Sequence, residues 1–86
     1  MEIKIGSVVL SKAGRDKGRF LAVMDITDEG IFVCDGHERP LERPKKKNPL
    51  HLAATQYTVS AAETATNRSL KRALGEISGS DKREVK

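Results

Sequence analysis

Residues 6–26 read GSVVLSKAGRDKGRFLAVMDI, and the fold turns on them. Ser7–Ser11 and Arg19–Ile26 are dense in β-branched and apolar residues, as strands are. Between them KAGRDKG (residues 12–18) holds two glycines, four charges and no apolar anchor except Ala13, which marks a surface turn. Thr27-Asp28-Glu29-Gly30 is a second turn, and Ile31–Asp35 reads as a third strand. Asp35-Gly36 is a strong tight-turn dipeptide and predicts a hairpin from Ile31–Cys34 back through Arg39–Glu42. A last short strand falls within Leu52–Val59. Short strands joined by tight turns predict a mainly β chain wrapped into a small barrel, which hides the edges that a flat sheet leaves open.

The remainder reads as helix. Ser60 and Glu63 have the spacing of a capping box. Leu70, Ala73, Leu74 and Ile77 recur at i, i+3, i+4 and i+7 and make one apolar stripe. Arg68, Lys71 and Arg72 lie opposite and face water or a polyanion. Gly75 is placed to end the helix, and SGSDKREVK beyond it has no period. The predicted organisation is therefore a barrel over residues 1–59, a helix over 60–77 and a disordered tail over 78–86. The stripe should dock on the barrel, because an isolated helix of this length is marginal in water.

Composition excludes several classes of function. The chain has 86 residues, 37% of them hydrophobic, with three aromatics, Phe20, Phe32 and Tyr57. That supplies one domain and a modest core. The single cysteine, Cys34, allows no internal disulfide and, set in an apolar strand, reads as buried and inert. Cys34, Asp35, His37 and His51 lack the spacing of a metal site or of a nucleophile and its base, so no catalytic residue, metal or cofactor is expected. Gly14 and Gly18 lead into a strand with no following GK[ST], which excludes a nucleotide-hydrolysing P-loop. With neither a membrane-length apolar run nor a secretory pattern, a reduced, cytoplasmic setting is expected.

What stands out is positive charge. Lys and Arg number 16 against 12 Asp and Glu, a net +4. Residues 36–52 alone carry five cations against two carboxylates. Pro40, Pro44 and Pro49 keep that stretch semi-extended, so its lysines could follow a phosphodiester track; the bland alternative is a charged linker. Arg15, Lys17 and Arg19 sit on the glycine-bearing turn, which could press cations and amides against phosphates or simply be a solvated loop. Phe20 and Phe32 are expected in the core, leaving Tyr57 as the only candidate stacking platform. Nucleic acid would then be gripped by backbone and shape, which suits structured RNA.

Gly6–Val9 followed by Ser11–Arg19 resembles a KOW motif, a strand, a glycine-bearing loop and a second strand. Asp35-Gly36, the run RPLERPKKKNP (residues 39–49) and His51-Leu52 narrow the likeness to large-subunit ribosomal proteins of the fourteen-e group and the bacterial KOW-domain RNA-binding proteins similar to them. It covers about residues 4–55, roughly 60% of the chain. The resemblance implies a five-stranded SH3-like barrel, no enzymatic activity, and binding to RNA, typically ribosomal RNA of the large subunit. Carried over by position, it implies contacts from Arg15, Lys17, Arg19, Arg43, Lys45, Lys46 and Lys47; Lys12, Arg39 and His51 complete the expected set. The chain is shorter than those proteins and lacks their long basic extensions, which admits a ribosome-associated factor beside a ribosomal protein. The competing expectation is a KOW module that docks a ribosomal or polymerase protein, or another transcription or translation factor, through its loops and sheet edges, with the stripe Leu70, Ala73, Leu74 and Ile77 exposed to engage the partner.

Overall fold

A computed structural model describes residues 3–80. Five strands form one antiparallel sheet: β1 (Ser7–Ser11), β2 (Phe20–Thr27), β3 (Gly30–Cys34), β4 (Lys45–Lys47) and β5 (Leu52–Thr58). Their spatial order is β4-β3-β2-β1-β5, and one helix, α1 (Asn67–Ser80), follows. The architecture is mainly β, consistent with a small SH3-like fold. It departs from a closed barrel, because no ladder joins β4 to β5. A 3-10 turn, Pro49–His51, links those two strands. Asn48 starts it by accepting the Leu50 N–H on its side chain at 2.9 Å.

The sheet buries both faces. On one, Val9, Leu21, Val23, Ile31, Val33 and Leu52 cluster. Among the described residues no helix covers this face, yet Val9, Leu21, Val23 and Val33 are fully buried. The strands must therefore curl over their own side chains. Bulges between Ser7 and Val9 and between Val23 and Asp25 supply bends of the kind that curling needs. On the other face, Val8, Phe20, Ala22 and Cys34 meet Leu70, Ala73 and Leu74 of α1. The apolar stripe is thus core, and Leu70 is fully buried. An exposed partner-binding stripe, the premise of the protein-docking expectation, is absent.

The turn at Asp35-Gly36 forms, with both N–H groups donating to the Arg39 carbonyl at 2.9 and 3.2 Å. The expected return strand over Arg39–Glu42 does not. Pro40 has no N–H for a ladder, and Leu41 instead joins the helix-side core, its N–H donating to the Asn67 side-chain oxygen at 2.7 Å. A second turn closes from Arg43 N–H to the Pro40 carbonyl at 2.9 Å. Pairing resumes at Lys45–Lys47, opposite Val33–Ile31.

The helix begins later and ends later than its sequence signals suggest. Ser60 and Glu63 do form a reciprocal box, at 2.8 and 3.2 Å, but it holds only a turn. Thr66 and Ser69 make a second such box, at 3.2 and 3.1 Å, and α1 starts there. Gly75 does not stop it, since it keeps a helical backbone rather than the left-handed conformation of a cap. Ile77, packed on the core, carries the helix onward to Ser80. Residues 78–80, assigned from sequence to a disordered tail, are therefore helical, and 81–86 lie outside the described residues.

Candidate nucleic-acid interface

The β1–β2 loop is tied down from beneath. Lys47, which sequence reasoning places among the surface cations, points inward and is 93% buried. Its Nζ donates to Asp16 Oδ1 at 2.7 Å, the Ala13 carbonyl at 3.0 Å and Ser11 Oγ at 3.2 Å. The alternation of the edge strand explains this: Lys47 pairs with the buried Ile31, whereas Lys46 pairs with Phe32 on the opposite face. Burial acts to raise the Asp16 carboxyl, but the hydrogen bonds from Lys47 and Ser11 and the Lys47 charge outweigh it and hold it below its ordinary value. Gly14 fits over the lysine at φ +90°, where a Cβ would stand 3.4 Å from Nζ.

Fixed in this way, the loop presents Lys12, Arg15, Lys17 and Arg19 to solvent. Arg15 and Arg39 share a depression of about 210 Å³ with Asp16, Asp35 and Glu38. Arg19 is not free, for its guanidinium is hydrogen-bonded to Glu38 and lies 3.9 Å from Asp35. Lys12 stands beside the 3-10 turn, its N–H bonded to the His51 carbonyl at 2.8 Å. Lys46, Arg43 and His51 are exposed and Lys45 is half-buried. The cations thus divide between a loop cluster (Arg15, Arg19, Arg39) and the edge strand with its flanks.

Two features escape the sequence reading. Tyr57 is not a free platform, because its ring packs edge-on against Phe20 at 6.3 Å. Phe32 is the aromatic that belongs to neither core cluster; half-buried, it lies between Asp25 and Lys46 on neighbouring strands. The second is the placement of His37 and Lys71 together. They line a groove of about 270 Å³ between α1 and the loops, with Gly18, Arg19, Phe20 and Asp35. The helical spacing puts Lys71 on the polar face, and the close approach of Gly36, with the bonds of Leu41 and Glu42 to Asn67, brings the start of α1 to the loop. Gly36 has φ +79°, and a Cβ there would stand 2.3 Å from the Asn67 carbonyl oxygen.

The Cys34 thiol is buried and pushed up to about 11 by that burial, with the Asp35 and Glu42 charges adding to it. Among the described residues no group of three His, Cys, Asp or Glu side chains could hold a metal. No helix there is long and apolar enough to cross a membrane.

Fold and surface together define a small, curled β module of SH3-like kind that displays cations on loops beside a docked helix. It resembles the large-subunit ribosomal proteins of the eL14 type. It is 28% identical over 75 residues to large ribosomal subunit protein eL14 of Desulfurococcus amylolyticus, covering 86% of this chain and 78% of that protein. It is 31% identical over 75 residues to the eL14 of Drosophila melanogaster and 31% over 72 residues to that of Drosophila virilis. The matches span 44% of each fly protein, less than half its length. No family model matches the chain.

Proposed function

We propose that this chain is a non-enzymatic RNA-binding module of the large ribosomal subunit, or of a factor associated with it, acting in the cytoplasm. Its contacts are to backbone phosphates of structured ribosomal RNA, made by Lys12, Arg15, Lys17, Arg19, Arg39, Arg43, Lys45, Lys46 and His51. Lys47 is left out of this set because its three donors are used inside the fold. The observation that carries the reading is the convergence of Arg15, Arg19 and Arg39 from two separate loops around Asp35 and Glu38. The likeness to eL14 supports it. Multiple point contacts to phosphates position a protein on a duplex without reading bases, so specificity would come from RNA shape.

Sedimentation of a cell lysate through a sucrose gradient at low and high salt tests this directly. Co-migration with the large subunit at low salt is expected. Loss at high salt would mark an accessory factor held mainly by charge, and retention would mark an integral subunit. Migration only in light fractions at low salt would contradict the proposal.

A further inference from the structure

We propose that the groove between α1 and the two loops, flanked by Arg19, His37 and Lys71, holds a stretch of RNA sugar–phosphate backbone, which makes the helix part of the RNA-binding face. This rests on the RNA reading above and adds a site to it.

The groove follows from local sequence. Asp35 Oδ1 accepts the N–H groups of His37 and Arg39 at 2.8 and 2.9 Å, fixing the turn. Gly36 lets that turn press onto the first turn of α1, so His37 arrives beside Lys71. Arg19 enters from the opposite loop. The one carboxylate in the lining, Asp35, is already occupied by those N–H groups and lies 3.9 Å from Arg19. Glu38, bonded to Arg19, is the carboxylate that a phosphate would displace, and Lys71 makes no ion pair among the described residues, so it is the cation open to a polyanion.

The walls are low where a backbone would need to approach. Lys71, Leu74, Gly75 and Ser78 follow i, i+3, i+4, i+7 spacing, so one helix face supplies a cation, an apolar floor residue, an open glycine and a hydroxyl. Phe20 completes the floor. An apolar floor suits the C–H face of a ribose, and the Ser78 hydroxyl can donate to or accept from a 2′-OH. Gly75 is informative because the fold does not require it. It has ordinary helical dihedrals, a Cβ there meets no atom within 4 Å, and glycine inside a helix is destabilising. A Cβ alone leaves the groove open there, whereas a longer side chain at this position enters it.

The test exploits that conflict between stability and binding. Gly75→Gln adds a neutral, helix-favouring side chain that fills the groove. It should raise Tm by about 2 to 4 °C while weakening affinity for purified large-subunit ribosomal RNA roughly ten-fold. Gly75→Ala should raise Tm similarly and bind nearly as wild type. Lys71→Gln, which leaves the core untouched, should lower the slope of log affinity against log salt by about 0.7 to 0.9. It decides the matter should Gly75→Gln fold poorly. Wild-type affinity in Gly75→Gln with an unchanged slope in Lys71→Gln would overturn the groove. If Lys17→Ala still weakens binding in that case, the RNA reading stands without it; if the wild-type chain does not bind the RNA at all, both fall.

Discussion

Lys47 on the edge strand and Asp16 in the β1–β2 loop, 31 residues apart, form a buried ion pair with Nζ 2.7 Å from Oδ1. The pair anchors the cation-bearing loop to the far edge of the sheet. Lys47→Ala would leave Asp16 buried without compensation and should cost about 3 to 5 kcal/mol of stability. Lys47→Met combined with Asp16→Ala should recover most of that loss, which urea unfolding of the three proteins would show. A loss under about 1 kcal/mol in the single variant would mean that the pair is not desolvated.

The same pair sets an acid limit. The folded Asp16 carboxyl lies below its ordinary value of 3.8, so its stabilising contribution is fully present above that value and is lost as pH falls through the depressed folded one. The Tm difference between wild type and Asp16→Asn should be constant from neutral pH down to about pH 5 and shrink below about pH 4. A difference that shrinks near neutrality would assign the effect to other groups.

Glu38 restrains Arg19. Both side chains are about half exposed, at 49% and 57%, so their mutual attraction is small and reversible. A phosphate must displace Glu38 to reach the guanidinium. Glu38→Gln should therefore raise RNA affinity about two- to five-fold, with stability changed by less than about 0.5 kcal/mol. Unchanged affinity in a binding assay would take Arg19 out of the contact set.

Gly36 holds the β3–β4 loop against the helix. Alanine there would combine an unfavourable positive φ with a Cβ 2.3 Å from the Asn67 carbonyl oxygen. Gly36→Ala should cost roughly 2 to 4 kcal/mol, read as a fall in Tm. A change of less than a degree would show that the loop and α1 are not in close contact.

β1, β2, β3 and β5 were legible because their signals are local, whereas the return strand expected over Arg39–Glu42 gives way to β4 at Lys45–Lys47. β1 lies where its β-branched run bounded by turn residues puts it, and β5 falls within the expected Leu52–Val59. The KOW-like likeness, carried by the turn and the RPLERPKKKNP run, agrees with the eL14 matches. Lys47 was not legible, because three adjacent lysines carry no mark of which one alternation turns inward. Nor was the start of α1, which follows the Thr66–Ser69 box and not the earlier Ser60–Glu63 box. Nor were the aromatics, for Tyr57 packs on the helix-side core against Phe20 while half-buried Phe32 joins neither core cluster. The inward turn of Lys47 rests on contacts to Ser11, Ala13 and Asp16, which a period or a turn cannot encode.

The most direct measurement is the salt dependence of binding to purified large-subunit ribosomal RNA. With four or five cations on phosphates, log affinity should fall against log salt with a slope of about −3 to −4. Replacing Arg15, Lys17 and Lys46 together by alanine should flatten that slope by about 2 to 3 while leaving Tm within a few degrees. A wild-type slope near zero, or a triple variant with unchanged slope and affinity, would contradict the account.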